Sequence, residues 1–400
     1  MLDAYLYAGI RTPIGRYGGK LSMLRPDDLA AAAIKHVVEG SPFAPDRIED
    51  VLLGCTNQAG EDSRNVARHA ALLAGLPASV PGQTVNRLCA SGLAAVVDAA
   101  RAVTVGEGEL FVAGGVESMS RSPYVISKAT TAFGRESRMF DSTIGARFSN
   151  VRLEKAYGSD TMPQTADNVA RELKISREES DRFAAASQAK YEAARQAGFY
   201  RDEIMPVEVP GPKGRIATQV VDDEHPRPES DLAALSRLRP LFDGGIVTAG
   251  SASGINDGAV ALLIGSKGVG AAAGIAPMAR LVVASAAGVE PRVMGIGPVF
   301  AVRKALGRAK LNLADIDVIE INEAFAPQVL GCLKLLDISS DDDRVNPNGG
   351  AISIGHPLGA SGARLVLTAA RQLAKTGKRY ALVTLCIGVG QGMALVLERT

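Results

Sequence analysis

The sequence predicts an α/β fold of two similar halves, each with a mostly parallel sheet core, and a loop-rich insertion between them. Three observations predict it. The segment ASGLAAVVDAAR at 90–101 is matched by ASGARLVLTAAR at 360–371, 270 residues further on. EDVLLG (49–54) and IDVIEIN (316–322) recur at nearly the same offset, as do LFVAGG (110–115) and ALVTLC (381–386). Ordered matches at an almost constant offset indicate a repeated supersecondary unit. Secondly, the strands are continuous apolar runs, the pattern of sheets covered on both faces. Thirdly, residues 119–248 break the pattern, with charge, Pro and Gly concentrated in PVEVPGPKGR and DDEHPRPESD.

In chain order, MLDAYLYAGIRTP opens with a strand and shows neither the basic region nor the apolar region of a signal peptide. EDVLLG is a second buried strand. The segment 90–101 reads as a helix that leads through a short loop to the strand LFVAGG. The insertion carries an amphipathic helix, SREESDRFAAASQAKYEAARQAG, and is expected to lie over a surface of the first half. GAVALLIGS (258–266) then returns to the first sheet as a buried strand, and the second half repeats strand, helix and strand. The expected units are 1–118 with 249–270, the insertion 119–248, and 271–400.

Composition narrows the function. Hydrophobic residues make up 46% and charged residues 22%, and 44 basic against 43 acidic residues leave a net charge of +1. Neither nucleic acid nor an anionic membrane is an expected partner. No apolar run is expected to reach the about 20 residues that spanning a bilayer takes. Cys55, Cys89, Cys332 and Cys386 show no CxxC spacing, so neither a disulfide framework nor a zinc site is expected. Reduced thiols in a cytoplasmic enzyme fit better. The Gly-rich stretches GASG and GVGQG do not form a GxGxxG turn after a strand, which argues against a Rossmann nucleotide site.

Four positions stand out. Cys89, in VNRLCASG, lies at or before the first turn of the helix 90–101, where unpaired N–H groups and the helix dipole favour a thiolate. A packed, inert thiol remains equally open. Of the four histidines, His36 and His69 fall within helices and His225 in the charged insertion, and all three read as structural or exposed. His356 sits in a Gly-rich turn before the helix of the second half, where α/β units meet ligands. Cys386 ends a strand and enters CIGVGQG, and Asn322 ends another in INEAF; alone, each reads as structural. All four are expected at strand-to-helix turns of the two related units. Two thiols, an imidazole and an amide suit covalent acyl transfer.

The chain resembles the thiolases, CoA-dependent β-ketoacyl transferases, along its whole length. VNRLCASG, GGVESMS (114–120), NEAF, GHPLGASGAR and CIGVGQG carry the resemblance. It implies the layered αβαβα thiolase fold and a homodimer or homotetramer. It also implies coenzyme A and acyl-CoA as substrates, without a permanently bound cofactor or metal. Cys89 would carry the acyl group, His356 would activate it, and Cys386 would exchange a proton with the α-carbon. Asn322, through a water, and His356 would form one oxyanion hole; the N–H groups of Cys89 and Gly388 would form the other. Ser253, Arg227, Met162 and Phe325 match positions that contact CoA. RSPYVISKATTAFGR (121–135), DSTIG (141–145) and EPRVMGIGPVFAVRK (290–304) resemble the branch that cleaves 3-oxoadipyl-CoA. Ser251, Phe300 and Pro327 depart from the family pattern, the last two on the substrate side.

Three alternatives remain at this stage. An acetoacetyl-CoA thiolase would share the chemistry with a smaller acyl pocket; an adipyl chain ends in a carboxylate, for which Arg87 and Arg135 are candidate partners. A β-ketoacyl synthase uses a Cys-His-His set that four scattered histidines serve poorly. A non-catalytic acyl-CoA-binding relative would need no such set.

Overall fold

Each apolar run read as a strand enters one sheet. The structure, a computed structural model, describes residues 1–211 and 216–400. Residues 212–215 of the predicted insertion lie outside the described part. The first half contributes β1 (Ala4–Arg11), β2 (Gly15–Arg16), α1 (Pro26–Glu39), β3 (Asp50–Gly54), α2 (Val66–Leu73), β4 (Gly82–Val85), α3 (Ser91–Val105) and β5 (Leu110–Ser118). There follow β6 (Tyr124–Ile126), β7 (Met139–Asp141), α4 (Val151–Tyr157), α5 (Met162–Leu173), α6 (Arg177–Gln196), β8 (Val207–Pro210), β9 (Ile216–Val220) and α7 (Leu232–Ser236). β10 (Asn256–Gly265) and α8 (Lys267–Ala273) lead to the second half. It comprises β11 (Ala279–Gly288), α9 (Gly297–Ala309), β12 (Val318–Ile321), α10 (Ala326–Leu335), α11 (Ala351–Ile354), α12 (Leu358–Thr376), β13 (Tyr380–Ile387) and β14 (Gln391–Glu398).

The sheet order is β12-β13-β14-β11-β1-β10-β5-β3-β4, with β2 beside β10. β1 and β11 join the two halves through three residue pairs, from Ala4 with Leu281 to Leu6 with Ala279. Reading outward from that junction gives β1-β10-β5-β3-β4 on one side and β11-β14-β13-β12 on the other. A bridge from Ile319 of β12 to Val345 takes the place that β4 holds in the first half. The duplication is thus a pseudo-twofold about the junction. The expected parallel cores are β4-β3-β5 and β12-β13. Antiparallel strands, which apolar runs do not announce, complete each: β10 and β1 in one half, β14 and β11 in the other.

Strand alternation assigns the layers. Val260, Leu262 and Ile264 of β10 face a core built around α3 and α12, while Ala259, Ala261 and Leu263 face α1 and α2. In the second half α9 and α10 cover the outer face, against Val282, Ile319, Ile321 and Val396. The α3–α12 pair therefore lies between the inner faces of both halves, giving αβαβα layers. The window Leu88–Val105 is long and apolar enough to cross a membrane by length and composition, contrary to the sequence reading. Here it is the central buried helix. α3 and α12 approach closely: a Cβ on Gly92 would stand 2.5 Å from the Gly359 carbonyl oxygen.

The insertion does not lie over the first half alone. α6, capped by Ser176 and Glu179, packs Ala184 against Ala326 and Ile352 of the second half. Ser187 Oγ donates to the buried Glu323 carboxylate at 2.6 Å. β8 and β9 meet the first half, with Val207, Val209 and Val220 in its outer core. Arg11 of β1, fully buried, pairs with Glu203 at 2.7 Å and Asp223 at 2.6 Å. The insertion spans both halves because its polar anchors, invisible to periodicity, find partners on each.

Candidate active site

Cys89 sits on a turn shaped by its neighbours. The Asn86 side chain accepts the Leu88 N–H at 3.0 Å and donates to Thr56 O at 3.2 Å. Ser91 Oγ accepts the Arg87 N–H at 2.8 Å and donates to Leu88 O at 2.6 Å. These bonds hold Leu88 at φ +48°, a left-handed backbone that costs a non-glycine residue roughly 1–2 kcal/mol. Ala90 caps α3, so Cys89 stands just before the helix, as the sequence places it. The thiol is half-buried. The expected lowering of its pKa does not occur: burial pushes it up to about 11. The N–H groups of Gly388 and of Cys89 itself pull the other way.

The second half supplies the other groups. Asn322 follows β12, its N–H donating to Thr384 O of β13 at 3.0 Å. Its Nδ2 lies 3.3 Å from His356 Nε2, and its buried Oδ1 has no partner among the described residues. The His356 N–H donates to Asn256 Oδ1 at 2.8 Å. His356 Nδ1 lies 2.6 Å from Ser361 Oγ, which is 2.8 Å from Pro357 O. A carbonyl only accepts, so the Ser361 proton goes to Pro357 and Nδ1–H donates to Ser361. In the neutral ring Nε2 is then the basic nitrogen. Burial, then the Arg364 charge, pushes this imidazole down to about 3.

Cys386 on β13 is buried, packed with Ala252, Met294, Ala324 and Phe325. Burial raises its pKa well above the usual thiol range, and the Cys89 charge adds to the effect. Gly388 adjoins Leu88 and Met162: a Cβ there would stand 3.2 Å from Leu88 Cδ1 and 3.7 Å from Met162 Sδ. The loops bearing Ser253 and Phe325 are paired, Ser253 N–H donating to Ala324 O at 2.9 Å and Ala326 N–H to Ser251 O at 2.8 Å. Pro327 falls in the first turn of α10, where no N–H is needed. Ser251 is buried, and its hydroxyl accepts the Thr248 N–H at 2.9 Å. Phe300 is exposed on α9. Arg227 is exposed, with its N–H on Gln188, and Arg135 is exposed well along the insertion.

Sequence reasoning gave no role to four residues near this site. Asn256 and Ser361 hold His356. The buried Glu117 accepts the N–H groups of Thr56, Asn57 and Gly359, tying both halves together below Cys89. His225, read as structural or exposed, is half-buried, its ring 2.3 Å from where a Cβ on Gly254 would lie. A carboxylate on the otherwise apolar run LFVAGGVES was a legible signal for Glu117; nothing marked Asn256.

A half-buried thiol before a helix, a second, buried thiol and an amide–imidazole pair, set in duplicated αβαβα layers, define an acyl-transfer enzyme. The family described as Thiolase, N-terminal domain matches residues 5–268, and Thiolase, C-terminal domain matches 275–399. The chain belongs to the thiolase family. It catalyses CoA-dependent cleavage of a β-ketoacyl-CoA and the reverse condensation. A beta-ketoadipyl-CoA thiolase of Escherichia coli is 55% identical over 401 residues, covering 100% of both chains. A 3-oxoadipyl-CoA/3-oxo-5,6-dehydrosuberyl-CoA thiolase of Escherichia coli (strain K12) matches equally, at 55% and 100% of both. An acetyl-CoA acetyltransferase of Thiocystis violacea is 44% identical over 97% of each chain. Human mitochondrial 3-ketoacyl-CoA thiolase in complex with CoA superposes with a TM-score of 0.91 at 39% identity, over 100% of this chain and 98% of that one.

Proposed function

We propose that this enzyme cleaves 3-oxoadipyl-CoA with CoA to succinyl-CoA and acetyl-CoA through a thioester on Cys89. The observation that carries the mechanism is that His356 presents a basic Nε2 3.3 Å from Asn322 Nδ2, while Gly388, on the turn after Cys386, packs against Leu88 beside Cys89. Full-length relatives named for 3-oxoadipyl-CoA, at 55% identity, support the substrate.

With the thiol pushed up to about 11 and the imidazole down to about 3, both rest neutral at pH 7. His356 Nε2 therefore takes the Cys89 proton as the sulfur attacks the ketone carbonyl, not beforehand. The Cys89 and Gly388 N–H groups hold the resulting oxyanion. The C2–C3 bond then breaks, and its electron pair becomes the enolate of acetyl-CoA. Asn322, directly or through a water, and His356 bind the enolate oxygen while Cys386 protonates its carbon. Cys386 next takes the proton of incoming CoA, whose sulfur attacks the thioester; Cys89 leaves and recovers its proton from His356. Each oxyanion donor is worth about 3–4 kcal/mol at the transition state.

Residues 119–248 form the CoA-covering unit in this reading, with Ser253 on the pantetheine arm, Met162 and Phe325 along it, and Arg227 near the adenosine end. Arg87 is the cation for the distal carboxylate: it is half-buried two residues from Cys89, and its guanidinium pairs with none of the described residues. The enzyme is a cytoplasmic homo-oligomer. β4 ends the sheet with one edge unpaired among the described residues, a ready surface for a second copy.

Mass spectrometry after incubation with acetoacetyl-CoA should show an acetyl group on Cys89, absent from Cys89→Ser; an unmodified wild type would sink the covalent mechanism. kcat/KM should be at least about tenfold higher for 3-oxoadipyl-CoA than for acetoacetyl-CoA, and Arg87→Gln should narrow that gap. Equal values in the wild type would make this an acetoacetyl-CoA thiolase. Light scattering should give a multiple of 41.6 kDa; the monomer mass would refute the oligomer.

A further inference from the structure

The turn between β13 and β14 carries a valine where its backbone asks for asparagine or glycine. It consists of Gly388-Val389-Gly390, closed by the Ile387–Gln391 pair. Val389 has φ +62° and Gly390 φ +79°. Two successive left-handed residues suit Asn-Gly or Gly-Gly, and a β-branched side chain there is a conformational outlier. The turn cannot relax by shifting. Gly390 O accepts the Val289 N–H at 2.8 Å, and a Cβ on Gly390 would meet Val289 O at 2.2 Å. Nor does the core hold the side chain, since Val389 is 56% exposed. Neither turn propensity nor burial accounts for valine. Strain of this kind at a catalytic turn points to function.

Its position supplies the function. Val389 directly follows Gly388, as Leu88, the other left-handed apolar residue here, directly precedes Cys89. Leu88 and Met162 both reach the open side of Gly388. Val389, exposed and next in the chain to Gly388, is the apolar side chain available to extend that rim, beside the carbonyl that the Cys89 and Gly388 N–H groups would hold. An acyl chain leaving that carbonyl must pass the rim. An acetyl group has no methylene to place there; a succinyl group has two.

We infer that Val389 is a specificity-determining residue whose isopropyl group, with Leu88 and Met162, packs on the methylenes of the acyl chain carried by Cys89. This rests on the acyl-enzyme reading above, but not on the distal carboxylate. The test compares wild type with Val389→Asn and Val389→Gly, which ease the turn, and with Val389→Ile, which keeps the apolar rim. kcat/KM is measured for acetoacetyl-CoA, 3-oxohexanoyl-CoA and 3-oxoadipyl-CoA, with Tm and the Cys89 adduct for each protein. In Val389→Asn and Val389→Gly the ratio of 3-oxohexanoyl-CoA to acetoacetyl-CoA should fall about tenfold, the scale of a lost apolar contact in a pocket. Tm should not fall in Val389→Asn, and Val389→Ile should keep the wild-type ratio. An unchanged ratio in the Asn and Gly variants, or a lower Tm in Val389→Asn, would overturn the inference. A wild type that forms no adduct would instead remove the acyl-enzyme reading beneath it. A changed ratio for 3-oxohexanoyl-CoA supports the inference whatever the wild type's rate with 3-oxoadipyl-CoA.

Discussion

His356 keeps its proton on Nδ1 because Ser361 has one hydrogen, directed to Pro357 O. Ser361→Ala removes the acceptor that selects this tautomer while leaving the ring in place. We expect kcat to fall about tenfold with little change in KM, a fraction of what a general base contributes; wild-type kcat would contradict the assigned role. The same burial links His356 to stability. Its folded pKa, about 3, lies below the usual 6.5, so between these values the unfolded chain binds more protons. Stability is fully present above pH 6.5 and is lost as pH falls toward 3. In denaturant titrations His356→Asn should therefore show a shallower loss over that window, and identical slopes would refute the coupling. At Cys89 the helix-start argument gave the wrong pKa direction, because the dipole is a local feature and desolvation comes from elements distant in sequence.

At the scale of elements, Cys89 and His356, the proposed nucleophile and base, stand just before the N-terminal ends of α3 and α12, so the spacing of these helices bears on the spacing of the site. Gly92 sets it, its missing Cβ leaving room for Gly359 O. Gly92→Val should cost about 1–3 kcal/mol by overpacking, and more if the helices separate. Activity should fall beyond the loss of folded protein, measured per folded molecule by active-site titration; full activity per folded molecule would show that spacing does not matter. The two helices were legible in the sequence because both keep the same small residues for the same contact. β14 and the β1–β11 junction were not, since an apolar run does not state the direction in which it pairs.

On the scale of the whole molecule, Arg11 fastens the insertion to the sheet through two carboxylates, all three groups fully or almost fully buried. Arg11→Met would leave Glu203 and Asp223 buried without their cation. It should destabilise the protein by about 3–5 kcal/mol in chemical denaturation, the cost of breaking a buried pair. A change below about 1 kcal/mol would show that the cluster is dispensable. The insertion's docking on the second half, through Ser187 and Glu323, could not be foreseen from its amphipathic pattern. Such a pattern shows that a face is buried, and not against what.

By itself, the sequence determined the duplication, the order of buried strands and the turns on which Cys89, Asn322 and His356 lie; Cys386 lies on β13, before a turn that leads to another strand and not to a helix as expected. These follow from local patterning, since burial on both faces demands continuous apolar runs and a turn demands small residues. Tertiary structure alone decided which groups meet: the Asn322–His356 contact, the proton on Nδ1, the raised thiols and the strain at Val389. The Asn322–His356 contact and the desolvation of the thiols join segments far apart in the chain, and the Nδ1 proton and the Val389 strain are set by turn geometry that residue patterning does not encode.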